Sequence, residues 1–344
     1  MKPLRRIRED ESGVASTVGT IMALLVFLTF ISLIVNQYVP VWMKDSEASH
    51  MGNAFAQFGS FKGSVDLQIL AAEMAASAGV DYIPISSFTP VTLGVDGVPI
   101  FTASTLGILN AVPADAPFTT QFIYRIRGVD TAVRESSSGR IALDVFNRYY
   151  MEGSLSYENG AVIRAQSDGQ VVRADPTFDI TLVNNTIRMS MTHISLYGTG
   201  SAQGSSTEGV HAKLLGVDRQ DYASPTSDVF INATTPSGVA WFSFFNRTLG
   251  DAFGIDAGDF SGGCPTTCFT QSYLGGRVQS VTVVTAYYTL TAQWKDPKFA
   301  YDLTLRIYND PNNTRPLVMP ITIVRVQHAF VKIAIAETGN DVSI

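Results

Sequence analysis

From residue 14 to residue 35 the chain passes through 22 positions without a charge, VASTVGTIMALLVFLTFISLIV. As a helix this run is about 33 Å long, enough to cross a hydrocarbon core of roughly 30 Å. No polar stripe divides it, so it lacks the wet face that a core helix of a water-soluble protein shows. A cleaved secretory signal is a rival reading. Such signals carry apolar regions of about 7–15 residues closed by a small-x-small site, and no such site closes this run. Pro40 is expected to kink or end the helix. A helical pattern then resumes: Met51, Phe55, Phe58, Phe61 and Val65 recur at steps of three and four, with Leu70 and Met74 extending the stripe. Gly52, Gly59 and Gly63 weaken it by up to about 1 kcal/mol each. The prediction is an amphipathic stalk helix over 41–79. Its apolar face docks on the chain's own sheet, or, as the sharper alternative, on neighbouring subunits.

Beyond residue 79 the period changes to that of strands. Alternating or β-branched runs fall at 121–127, 140–146, 161–165, 170–174, 178–183, 186–196, 212–217, 239–245, 277–294, 300–308 and 317–336. Glu158-Asn159-Gly160 and Ser167-Asp168-Gly169 between such runs are hairpin signals, because Asn, Asp and Gly tolerate positive φ. Within 277–294, Val278–Ala292 alternates for longer than a typical strand and reads as a hairpin or a long edge. Residues 198–209, GTGSAQGSSTEG, read as a flexible loop or linker. The fold class is α+β: one long N-terminal transmembrane and stalk helix, then a mainly antiparallel, β-sandwich-like ectodomain. The segments are a charged leader (1–13), a transmembrane helix (14–40), the stalk (41–79), a β-rich lobe (80–200), and a second lobe or a continuation of the same sandwich (201–344).

Charge adds an orientation. Lys2, Arg5, Arg6 and Arg8 precede the apolar run and only Lys44 closely follows it. Positive flanks stay in the cytoplasm, so the β-rich bulk is expected outside the cell, with Tyr38 and Trp42 at the headgroup level. Charged residues make up only 16% of the chain and the net charge is -6. A phosphate-binding surface needs clustered Lys and Arg, so nucleic acid is not an expected partner.

The order of the N-terminal features is unusual. Basic residues come first, then Glu9-Asp10-Glu11, then Ser12-Gly13, and at once the apolar helix. The small-residue junction Gly13/Val14 therefore precedes the helix. This layout, carried by Gly13-Val14-Ala15-Ser16-Thr17-Val18-Gly19-Thr20-Ile21 and the apolar run, resembles archaeal type IV pilin-like proteins with a class III signal. Asn147-Arg148-Tyr149-Tyr150 and the stretch 157–163 look like strand segments of large pilin-like ectodomains. The resemblance implies cleavage at Gly13/Val14, a helix that first anchors the precursor in lipid and later packs with copies of itself or other pilin-like subunits, and a filament at the cell surface. Two positions depart from it. Ser12 stands where family leaders often have a basic residue, and Val18 stands where bacterial pilins carry Glu.

Candidate chemistry is sparse. Cys264 and Cys268, in a Gly- and Pro-rich loop, read as a small-loop disulfide in an exported domain. Asp251, Asp256 and Asp259 are a weak calcium candidate, against the reading of a solvated loop. Four sequons, at Asn184, Asn232, Asn246 and Asn312, are glycosylation candidates. His50, His193, His211 and His328 show no ligand spacing and read as structural. No nucleophile elbow, P-loop or zinc-protease motif occurs, so neither a cofactor nor an enzymatic activity is expected. The expected function is a structural or minor subunit of a pilus-like filament. The rivals are a tethered monomer that binds cell-envelope material or surface glycans and, last, a tethered extracellular hydrolase.

Overall fold

A computed structural model describes residues 7–98, 101–255, 268–312, 314–315 and 317–337. Its spine is one rod made of α1 (Ile7–Leu33), a five-residue π-helical segment (Ile34–Tyr38) and α2 (Val39–Ser77). From Ser16 to Ser77 this rod is one helix of 62 residues. Of the expected kink or end at Pro40, the end is corrected: the helix continues, and Pro40 occupies the first turn of α2. The physical reason lies just upstream. Proline has no N–H and its ring crowds the carbonyl four residues back. The ladder widens before it, and the Val39 N–H reaches back five residues to the Ile34 oxygen.

The apolar side chains of the first half of the rod, from Val18 to Leu33, are exposed on every face. The second half is embedded. Met51, Ala54, Phe58, Phe61, Val65, Ile69 and Ala72 are buried at three- and four-residue steps. The expected extension of this stripe through Leu70 and Met74 is corrected: both point outward, and Ile69 and Ala72 carry the buried face. A period of 3.6 residues moves the contact line by one position within a few turns, and the docked sheet decides which residue continues it.

Three sheets follow. The first runs β1 (Ser86–Thr92), β12 (Thr207–Ala223), β18 (Ile321–Glu337), β10 (Thr186–Tyr197) and β9 (Phe178–Val183). The second runs β11 (Gly200–Gly204), β2 (Leu106–Val112), β5 (Arg140–Phe146), β6 (Gly153–Glu158), β7 (Ala161–Gln166) and β8 (Gly169–Ala174). The third runs β14 (Cys268–Leu274), β15 (Arg277–Val284), β16 (Tyr288–Lys295), β17 (Ala300–Ile307), β13 (Val229–Thr235), β3 (Phe118–Ile126) and β4 (Val129–Ser137). Among the described strands, pairing is antiparallel except between β10 and β18. The chain is thus α+β, a long apolar helix followed by a layered, mainly antiparallel β domain.

Two cores fill the layers. One lies between the third sheet, helix α3 (Gly238–Phe253) and the first halves of β10 and β18. The other joins α2 to the second sheet and the later halves of the same two strands. Because β10 and β18 run through both, the cores share a spine. Residues 201–344 are woven into 80–200: β12 pairs with β1, β11 with β2 and β13 with β3.

Three local readings change. Residues 239–245 form part of α3, not a strand, because Trp241, Phe244, Phe245 and Leu249 recur at helical spacing and are buried while Ser243 and Arg247 face out. Residues 198–209 are not a loose linker. They hold β11 and the start of β12, and their glycines let the backbone pass close over β18: a Cβ at Gly198 would lie 2.1 Å from the Ile333 oxygen. Asn147-Arg148-Tyr149-Tyr150 is a bend between β5 and β6, not a strand. The run 277–294 resolves into the hairpin β15–β16.

Candidate functional site

The feature with the clearest physical demand is the junction between the exposed rod and the β domain. Seven apolar positions of α2 bury themselves in the second core, and polar groups fix the helix lengthwise. Glu47 lies on the buried face, one turn from Met43 and Met51, and is fully buried. Its carboxylate accepts the backbone N–H groups of Arg148, Tyr149 and Tyr150 at 3.0, 2.8 and 2.6 Å. Three consecutive amides pointing at one anion form a nest, which accounts for the bend at 147–150. Further along, Gln57 Oε1 accepts the Thr92 N–H at 3.0 Å on edge strand β1. Gln68 Oε1 accepts the Leu214 N–H at 2.8 Å, beside the bulge of β12. Near the end of α2, Gln327 donates to Glu73 at 2.6 Å. The helix is therefore pinned at four heights. Glu47 is the group that sequence reasoning passed over. The signal was a carboxylate on the apolar stripe of an amphipathic helix, where a charge needs partners.

A second polar cluster lies between β4, β10 and β18. His193 is fully buried, with Nε2 2.8 Å from Thr120 Oγ1 and Nδ1 3.0 Å from Ser137 Oγ. Ser137 donates its one proton to Asn159 Oδ1 at 2.9 Å. It must then accept from Nδ1–H, which leaves Nε2 to accept from Thr120. Burial, with His328 as a second cause, lowers the His193 pKa to about 3. His328 is also held low by burial, opposed by Asp218. Ser195 Oγ lies 2.8 Å from His328 Nε2, and His328 Nδ1 lies 3.9 Å from Glu135. That is the contact order of a hydrolase triad, but the last separation exceeds a hydrogen bond and Ser195 is itself buried. The cluster supports a structural role better than a catalytic one.

The sign of its pH dependence follows. His193 stays neutral in the folded state and protonates in the unfolded chain below its ordinary pKa near 6.5. Acid therefore favours unfolding. Between pH 7 and pH 5 His193 should remove about 2 kcal/mol of stability. Glu158 and Glu135, both raised chiefly by burial, act in the opposite sense toward lower pH. Comparing wild type with His193→Gln isolates the histidine. Urea unfolding at the two pH values should show a smaller drop in the variant, and equal drops would refute the assignment.

The sequence-predicted sites fall apart in space or lie outside the described residues. Asp251 is exposed on α3 rather than in a loop, and Asp256 and Asp259 lie outside the described residues. Among the described residues no three His, Cys, Asp or Glu side chains gather as metal ligands. Cys268 opens β14 as a disulfide-bonded residue, and Cys264 lies outside the described residues. Asn184 sits exposed at the β9–β10 turn and Asn312 on an exposed turn. Asn232 is half-buried within β13, and Asn246 on α3 accepts the Tyr288 hydroxyl at 3.0 Å. Gly13 and Val14 lie within α1. His50 approaches the Thr92 oxygen at 2.9 Å, and the His211 ring packs 5.1 Å from that of Phe88.

Compared with known proteins, the chain matches no family model, no curated protein and no solved structure. Its function is therefore argued from the rod and its seat.

Proposed function

We propose that this chain is a structural or minor subunit of a pilus-like surface filament, held in the membrane by the helix over 14–40 before assembly. The observation that carries the reading is the division of one continuous helix: its later half is built into the β domain, while its first half exposes apolar side chains all round. Such a surface is unstable in water and requires either lipid or other apolar helices around it. A rigid rod pinned at four heights delivers its domain at a fixed offset from whatever covers the free half, which is what regular stacking of subunits needs. The pilin-like order of leader, Gly13/Val14 and apolar run supports the same reading. The basic residues ahead of the run support a leader in the cytoplasm and a β domain outside.

The alternative is a monomer that stays in the bilayer. Tyr38 and Trp42, both half exposed with rings 5.9 Å apart, suit a membrane–water boundary. Intact mass and electron microscopy of protein extracted from membranes separate the two. A filament subunit is expected to begin at Val14 and to form detergent-resistant polymers. A chain beginning at Met1 that remains monomeric in detergent would overturn the filament and leave the tether.

A further inference from the structure

A groove of ≈ 650 Å³ lies on the lobe of the first core, where the β7–β8, β14–β15 and β16–β17 turns meet the segment before α3. The stalk is embedded in the other core, so the groove is separate from the seat of the helix. Its floor is aromatic. Trp294 and Tyr301 pack edge to face at 5.0 Å, and the Tyr301 hydroxyl donates to the Val278 oxygen at 2.8 Å. The exposed Arg277 guanidinium stacks 4.2 Å over the Trp294 ring.

Two further rings stand at the rim and are poorly explained by folding. Tyr273 is 64% exposed and Phe299 is 73% exposed. Phe299 has φ 49°, in the left-handed region that Gly or Asn normally fills and that bulky side chains rarely adopt. The tight turn after Asp296-Pro297-Lys298 demands that conformation, and glycine would meet it without strain. A ring kept on a strained backbone, yet nearly bare of protein contact, points to something outside the chain.

The polar groups define the chemistry of that partner. Asp168 lines the groove as a carboxylate, and Gln166 and Gln170 each have a buried amide oxygen without a donor in the protein. The Gln170 amide nitrogen is already committed to the Pro236 oxygen at 2.9 Å. Asp168 supplies acceptors and the exposed Arg277 supplies donors, and their charges oppose each other. A polyanion is disfavoured. A proline-rich peptide brings mainly carbonyl acceptors and would leave Asp168 without a donor. A hydroxyl-rich ligand with flat apolar ring faces answers both demands: hydroxyls donate to the Asp168 carboxylate and accept from Arg277, and ring C–H faces cover the aromatics.

We propose that this groove binds a saccharide chain, with sugar rings laid on Phe299 and Tyr273 and their hydroxyls directed to Asp168 and Arg277. The site stands independently of how the N-terminal helix is covered.

The test uses the full chain in a zwitterionic detergent without sugar headgroups. It is screened against an array of neutral oligosaccharides and a proline-rich peptide, and the best soluble oligosaccharide is titrated by Trp fluorescence. Phe299→Gly is the decisive variant, because glycine suits the local φ. It is expected to weaken binding at least tenfold with an unchanged or raised Tm, and Tyr273→Ala should weaken binding as well. Binding of the peptide alone, no binding to any oligosaccharide, undiminished affinity in Phe299→Gly, or a clear fall in its Tm would each overturn the proposal.

Discussion

Trp241→Ala is expected to cost about 5 kcal/mol, a third or more of the stability of a typical domain. Trp241 is fully buried on α3, with its ring 4.6 Å from Phe118 and 5.6 Å from Phe245. Removing it opens a cavity at the centre of the first core. It also takes a donor from Glu158, a fully buried carboxylate, which accepts the indole N–H at 3.0 Å and the Thr235 hydroxyl at 2.8 Å. Burial pushes the Glu158 pKa up, against the pull of Arg140 and of these donors. Trp241→Phe separates the two effects. It keeps most of the volume but loses the donor, and should cost about 2 kcal/mol at neutral pH. That cost should shrink in acid, because a folded pKa above the unfolded value makes Glu158 stabilising only below it. Urea unfolding of both variants in detergent at pH 7 and pH 5 measures this. A loss under 1 kcal/mol for Trp241→Ala would show that the aromatic cluster does not hold the lobe together.

Glu47→Ala is the second large effect, expected at about 3 kcal/mol because three amide donors lose a charged acceptor. The loss should be local. Phe58, Phe61 and Val65 still hold the later part of α2, while the stretch near Glu47 comes free of the bend at Arg148. Amide exchange at Arg148, Tyr149 and Tyr150 should therefore rise by about a hundredfold, with little change in the third sheet. Glu47→Gln, which keeps one acceptor oxygen, should fall between. Unchanged protection in Glu47→Ala would mean that water replaces the carboxylate and that the nest does not fix the rod.

These two residues show how legibility varied along the chain. The apolar run at 14–35 was plain, because 22 uncharged positions exceed what a short local pattern can mimic. The stalk was legible from its three- and four-residue steps, and the hairpin at Asn159-Gly160 from its turn chemistry, with both residues at positive φ. Helix α3 was misread because its aromatic cluster is dense enough to resemble a buried strand, and a short apolar run does not reveal its period. The linker reading of 198–209 failed for a different reason. Small residues there serve close passage over β18, and composition does not distinguish room to move from room to approach. Phe299 was invisible, since nothing in the residue names signals a left-handed backbone under an exposed ring.

The sequence by itself determined the long apolar helix, the change to strand texture after residue 79 and the α+β class, because each rests on periods and lengths set by neighbours along the chain. Only the tertiary structure decided that both halves of the β region share one spine through β10 and β18, that Glu47 and Glu158 find their donors more than 70 positions away, and that two glutamines and two rings converge on one groove. Those facts depend on contacts between distant segments, which the packing of three sheets settles and local propensity does not.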